Sequence, residues 1–291
     1  MTEFRSGFVA LVGRPNVGKS TLLNALVGQK IAITSPVAQT TRQRLRGILT
    51  LDHAQIIFVD TPGIHKPHHL LGTVLVENAT RAIKSVDLVV LVVDGSVPLG
   101  RGDQYIFDLI HNAQVPYLIG INKIDQATDP ATIATYHSLG EWVTFSALRQ
   151  DNIDRLQTAI CQRLPPGPLY YPPDMVTDQP ERFIMAELIR EQILLHTREE
   201  VPHSVAVTIE RVEERDHLTA ILATIYVERP SQKAILIGEK GHMLKTIGSL
   251  ARQQIQKLIM GKVYLELFVK VQPKWRSSRL HLNEFGYHSR D

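Results

Sequence analysis

The sequence predicts an open α/β sheet in its first half and a smaller α+β unit in its second. Three observations carry this. Short β-branched runs alternate with helix-like segments over the first 160 residues. A stretch rich in proline, 164–180, then interrupts the chain. Beyond it the pattern changes to a helix followed by paired strands.

The first-half runs are GFVALVG, QIIFVDTPG, DLVVLVVDG, VPYLIGINK and EWVTFSA. They are apolar at both parities, which suits parallel strands covered by helices on each face. Loops that follow such strands gather at one sheet edge, where ligands bind, so functional residues are expected just after the strands. The interruption, LPPGPLYYPPDMVTDQP, holds six prolines and cannot continue a helix or a central strand. It reads as an extended linker, dividing the chain into a domain over 1–166, a linker over 167–180 and a domain over 181–291. In the second half, ERFIMAELIREQILLHTREE reads as a helix, while HSVAVTIERVEER, HLTAILATIYVERP and KVYLELFVKVQ read as strands. Ahead of the last strand, LIGEKGHMLKTIGSLAR (236–252) sets a glycine loop between an apolar strand-like run and an amphipathic helix-like run.

Composition narrows the class. The chain of 291 residues is 44% hydrophobic and 21% charged, ordinary for a soluble globular protein. The single cysteine, Cys161, rules out an intrachain disulfide framework and a cysteine metal cluster, and points to the reducing cytosol. The N-terminus, MTEFRSGFVALVG, lacks a basic leader with a cleavable apolar stretch. The longest apolar run, LVVLVV, is strand-sized, so no transmembrane segment is expected. A cytoplasmic location follows, with weak peripheral association at the inner face of the cell membrane left open. The net charge of +3 is unevenly spread: residues 233–279 carry ten Lys/Arg against two acids, 10 − 2 = +8, which leaves −5 elsewhere. Such a segment is either a footprint for a polyanion or a solvated face.

Residues 13–20, GRPNVGKS, match GxxxxGK[ST] between a strand and a helix, the context this phosphate cradle requires. Gly13 and Gly18 let the backbone curl, so that amides from Asn16, Val17, Gly18, Lys19, Ser20 and Thr21 face phosphate oxygens. Lys19 reaches the outer phosphates and the Ser20 hydroxyl binds Mg²⁺. DTPG ends the next strand, with Asp60 expected on Mg²⁺ and the Gly63 amide on the terminal phosphate. NKID follows a later strand. An Asp125 carboxylate accepts two hydrogen bonds from guanine N1–H and its exocyclic amine, a pair adenine does not offer. Asn122 ties this loop to the cradle, the Lys123 stem packs on the base, and Ser146-Ala147-Leu148 supplies an amide, that of Ala147, to guanine O6. GTP and GDP are therefore the expected ligands.

Lys19, Thr41 and Gly63 form the expected catalytic set, with Thr41 as second Mg²⁺ ligand and Thr40 as its fallback. Many small GTPases place a glutamine after the DxxG glycine to orient water. Ile64 stands there, which predicts slow turnover or a water positioned by another group. Asparagine at position 16, a TTR switch within 35–44 and this apolar residue resemble GTPases in which K⁺ occupies the arginine-finger position. The alternative is that Asn16 only tightens the turn.

GRPNVGKSTLLNALVGQKIAITSPVAQTTRQR with DTPGIH resembles the Era family of ribosome-associated GTPases, and the likeness runs end to end through ILIGEKGHMLKTIGSLAR. The resemblance implies a P-loop GTPase with an open mixed sheet and helices on both faces, plus a smaller α+β KH type II domain. It implies GTP hydrolysis, and binding of the single-stranded 3′ end of 16S ribosomal RNA during maturation of the 30S subunit. Gly238, Glu239, Lys240 and Gly241 would then be a GxxG clamp on about four nucleotides. A second P-loop is excluded, because Lys245 comes four residues after Gly241 instead of directly. Lys245 and Arg252 would meet phosphates; Ile235, Ile237 and Ile247 are either groove or core. Lys262, Lys270, Lys274 and Arg276 would extend the path, and Trp275 either stacks a base or anchors the C-terminal helix. Two departures stand out: Leu148 where lysine is common, and Glu239 beside Lys240 inside the clamp. His65, His68 and His69 are expected on a loop, not as a metal site. The competing reading is a GTPase whose second domain grips a protein or membrane partner.

Overall fold

Along the chain run β1 (Arg5–Val12), α1 (Lys19–Val27), β2 (Leu45–Leu51), β3 (Ala54–Asp60), α2 (Leu70–Lys84), β4 (Leu88–Asp94), α3 (Arg101–Asn112), β5 (Tyr117–Asn122), α4 (Pro130–Ala134), β6 (Trp142–Thr144) and α5 (Ile153–Cys161). They are followed by α6 (Glu181–His196), β7 (Ala206–Arg215), β8 (Leu218–Val227), α7 (Pro230–Ile237), α8 (His242–Ile255), β9 (Lys262–Val271) and α9 (Arg279–Glu284). The structure, a computed structural model, describes residues 3–37, 40–42, 45–64, 70–127, 129–259 and 261–287. The chain divides into two compact units. Met1–Ala32, Thr41–His68 and Gly72–Asp178 form the first; Ile33–Thr40, His69–Leu71 and Gln179–Asp291 form the second.

In the first unit the strand order is β2-β3-β1-β4-β5-β6. Every residue of β3 is buried, as is all of β4 except Asp94, because helices cover both faces of this sheet. Strands β3, β1, β4, β5 and β6 are parallel, so their carboxyl ends share one edge. Strand β2 pairs antiparallel with β3 and makes the sheet mixed. Its sequence, LRGILTL, is absent from the runs read as strands. It sits at the sheet edge with Arg46 exposed, so its apolar signal is broken.

The proline-rich stretch is extended but is not a free spacer up to Asp178. The Gly167 N–H donates to Phe4 O at 3.1 Å, and the Ile48 N–H donates to Val176 O at 2.9 Å. The Tyr170 and Tyr171 amides both donate to Gln55 Oε1, at 2.7 and 3.0 Å. Arg46 pairs with Asp178 at 2.7 Å. Residues interspersed among the prolines keep their amides, and these fasten the segment to the first unit as a strap.

In the second unit the order is β7-β8-β9, with β7 antiparallel and β9 parallel to β8. Strand β8 alternates strictly between buried and half-buried positions, so one face of the sheet packs on helices. Ile221 and Ile225 on that face meet Leu188 and Ile193 of α6 and Ile247 and Ala251 of α8 in one core. The apolar run before the glycine loop is a helix, α7, not a strand. Pro230 starts it, and periodicity alone does not settle so short a run. Trp275 is fully buried and donates its indole N–H to Ser204 O at 2.9 Å, so it anchors the C-terminal segment and stacks no base.

Candidate functional site

The cradle forms where β1 runs into α1. Gly18 has φ 101, and a Cβ there would meet Asn122 Nδ2 at 2.3 Å, so only glycine fits. Asn122, the last residue of β5, donates through Nδ2 to Val17 O at 2.8 Å and accepts the Ala147 N–H at 2.9 Å. One buried side chain thus links the loop after β1, the loop after β5 and the loop after β6. The Ala147 amide, the one expected to meet guanine O6, is the group that donates to Asn122. Leu148 is 73% exposed and contributes no buried side chain.

Lys19 is buried, its ammonium donating to Gly13 O at 3.1 Å and Arg14 O at 2.8 Å. Burial lowers its pKa to about 8, against the raising effect of the nearby Asp60 charge. Arg14 in turn pairs with the buried Asp103 of α3 at 2.7 Å, bracing the loop from outside. Asn16 is exposed with φ 64, a left-handed conformation that asparagine tolerates better than most residues.

Ser20, Thr41 and Asp60 converge. Ser20 Oγ lies 2.8 Å from Thr41 Oγ1, and Asp60 Oδ2 accepts from Ser20 at 2.7 Å and from Thr41 at 3.2 Å. Asp60 Oδ1 is buried without a partner among the described residues. Burial pushes the Asp60 carboxyl pKa up, opposed by the Lys19 charge and the two hydroxyls. An oxygen set with one orphaned, desolvated carboxylate oxygen fits a hard divalent cation such as Mg²⁺. Thr40, the fallback ligand, donates instead to Val37 O at 2.6 Å.

Ile64 is 2% exposed and packs in the core with Ala10, Val12 and Ile83, while its N–H donates to Gly13 O at 3.2 Å. Its side chain is taken up in that core and carries no group that could hydrogen-bond a water. Ser146 Oγ donates to Asp125 Oδ1 at 2.6 Å, which orients that carboxylate. Residues 38, 39, 43 and 44 of the switch, and His65, His68 and His69, lie outside the described residues.

In the second unit, Gly238 to Gly241 join α7 to α8. Gly241 has φ 80 with no atom within 4 Å of where a Cβ would stand, so the backbone is open to close approach. Glu239, Lys240, Lys245 and Arg252 are exposed, and Lys245 and Arg252 lie two turns apart on α8. Ile235 is 47% exposed beside the loop, whereas Ile247 is fully buried and belongs to the core. Of the cations expected to extend this path, Arg276 is paired with Glu228 and Lys270 lies over the Tyr226 ring. Among the described residues no helix is long and apolar enough to cross a membrane.

Comparisons with known proteins agree with this arrangement. A family model described as a 50S ribosome-binding GTPase matches residues 8–123, and a KH domain model matches residues 200–276. GTPase Era of Nostoc sp. is 65% identical, covering 98% of this chain and 90% of its own. GTPase Era of Crocosphaera subtropica is 62% identical, over 98% and 93%. A crystal structure of Era with MgGDPNP and nucleotides 1506–1542 of 16S ribosomal RNA superposes with a TM-score of 0.94 at 41% identity, over 98% of this chain and 99% of that one. A variant of Aquifex aeolicus Era bound to GDP and AlF₄⁻ gives a TM-score of 0.93 at 40% identity, with the same coverage.

Proposed function

The chain belongs to the Era family of GTPases, and we propose that it couples GTP binding and hydrolysis in its first unit to capture of 16S ribosomal RNA by its KH domain, in the service of 30S subunit maturation. The observation that carries the nucleotide half is Asn122. Its two hydrogen bonds hold the phosphate cradle and the base-reading loops in one frame.

Asp125, steadied by Ser146, accepts guanine N1–H and its amine. Lys19, already ringed by carbonyls, meets the outer phosphates, whose charge favours its ammonium form. Ser20, Thr41 and Asp60 would hold Mg²⁺, which when bound neutralises charge on the phosphates. With Ile64 withdrawn into the core, that position offers the attacking water no hydrogen-bonding side chain, and turnover would be slow. A K⁺ ion beside Asn16 would supply the missing positive charge, the asparagine carbonyl offering one ligand. The GxxG loop would clamp the ribose-phosphate backbone, with Lys245 and Arg252 on phosphates and the exposed Ile235 under the bases. The excess of cations over 233–279 favours RNA over a protein or membrane partner for this unit. Its work lies in the cytoplasm, where ribosomes assemble; flotation with anionic vesicles tests peripheral membrane contact.

The test of this reading is Asp125→Asn. It should turn the site from guanine to xanthine nucleotides, because an amide donates where a 2-oxo group accepts. Unchanged preference for GTP would contradict the assignment.

A further inference from the structure

The NKID lysine does not stand alone. Asp94, the last residue of β4, lies level with Asn122 in the parallel β4–β5 register. Its Oδ2 is 2.5 Å from Lys123 Nζ. The other oxygen, Oδ1, accepts the Ser96 N–H at 3.0 Å and the Ser96 hydroxyl at 2.5 Å. The backbone around Asp94 is fixed too. The buried Tyr136 donates its hydroxyl to Asp94 O at 3.1 Å and Val97 O at 2.9 Å, and the Gly95 N–H donates to Asn122 O at 2.8 Å. Both carboxylate oxygens are committed, and the side chain is only 14% exposed.

An isolated, exposed ion pair contributes little, because two flexible side chains must be ordered to make it. Here one partner is ordered beforehand, so only the lysine gives up freedom. The lysine also has unusual need of an anchor. Lys123 has φ 64, a conformation rare for a long side chain, and its four-carbon stem has many rotamers to lose on ordering. A stem that covers one face of a base binds better if its rotamers are restricted before the base arrives.

We propose that Asp94 is a positioning residue for nucleotide binding, which holds the Lys123 ammonium so that the stem forms a preset wall of the guanine pocket. This rests on the guanine-site reading above. The wall touches the face of the ring, whereas Asp125 reads its edge, so Asp94 sets affinity without setting the choice between guanine and hypoxanthine. Ser96 serves Asp94 in the same way, by fixing the oxygen that Lys123 does not use.

The experiment measures GDP and IDP affinity, together with steady-state GTP hydrolysis, for wild type, Asp94→Asn, Lys123→Met and the double variant of the full chain. Methionine keeps an unbranched stem and removes the ammonium. Asp94→Asn should weaken GDP and IDP by the same factor, about tenfold, through faster dissociation, raising KM with kcat moved less than twofold. In the Lys123→Met background the same substitution should change affinity less than twofold. The proposal is overturned if Asp94→Asn leaves GDP affinity unchanged, weakens it equally in the methionine background, or lowers kcat as much as affinity; the last two would mark a loop held for structural reasons. Wild-type protein that fails to bind GDP would take down the guanine-site reading and this proposal together.

Discussion

Ser20 Oγ and Thr41 Oγ1 stand 2.8 Å apart although 21 positions separate them in the chain, and both bond to the same oxygen of Asp60. This triangle is preformed around a carboxylate whose second oxygen is buried and unpartnered among the described residues. Thr41→Val keeps the shape and removes one corner. It should raise the Mg²⁺ concentration for half-maximal hydrolysis roughly tenfold, while Thr40→Val changes it less than twofold. A Mg²⁺ titration of turnover, with chelator as the zero point, reads both.

Lys19 gives the site a pH dependence. In the free protein its pKa is about 8, lowered by burial, so above that pH the ammonium is lost before nucleotide arrives. Bound phosphates require the charged form, and binding then takes up a proton. GDP affinity should be flat below pH 8 and fall up to about tenfold per unit above it. Lys19→Arg, which stays charged, should remain flat between pH 7.5 and 8.8. Stability of the free protein moves the other way. The unfolded lysine, with a pKa of about 10.4, binds more protons than the folded one, so this group's penalty fades as pH rises from about 8 to about 10. Fluorescent-nucleotide titration and thermal melts over this range test the two signs.

Asn16 is left-handed and exposed beside the cradle, which suits both a tightened turn and a cation ligand. If K⁺ supplies the positive charge that an arginine finger would, replacing KCl by NaCl at equal ionic strength should slow hydrolysis by roughly tenfold or more and leave GDP affinity nearly unchanged. Equal rates in both salts would leave Asn16 as a turn residue.

The exposed cations of α8 should be legible in salt. Removing one cation from a phosphate of single-stranded RNA lowers the slope of log K against log salt by about 0.7, so Lys245→Ala and Arg252→Ala should each do so. Ile247→Ala, by comparison, should cost stability, about 2–5 kcal/mol, because that side chain is wholly in the core.

Much of the nucleotide site could be read from the sequence because its parts are short and local. A glycine loop between a strand and a helix dictates its own conformation, and Asp60, Asn122 and Asp125 lie at or just past the ends of strands whose apolar runs are unmistakable. What depended on register was hidden. Asp94 is an ordinary strand-ending aspartate until β4 and β5 are aligned, and only then does it fall opposite the NKID loop. Strand β2 lies at an edge, where its half-exposed pattern is weak, and α7 is too short for period to separate it from a strand. The prolines of the strap announced extension, but not the glutamine, Gln55, on which two of its amides converge. Ile235 and Ile247 look alike in sequence; the helix phase puts one in solvent and the other in the core.

The most direct measurement is crosslinking in intact cells with sequencing of the bound RNA, comparing wild type with Gly241→Asp. Aspartate is tolerated at φ 80 at a cost of about 1 kcal/mol, and space is open there, so the variant should fold and still bind GDP. The account predicts wild-type crosslinks at the 3′ end of 16S ribosomal RNA and their loss in the variant. Crosslinks that persist in a folded Gly241→Asp protein, or a wild type with no enrichment at that end, would contradict it.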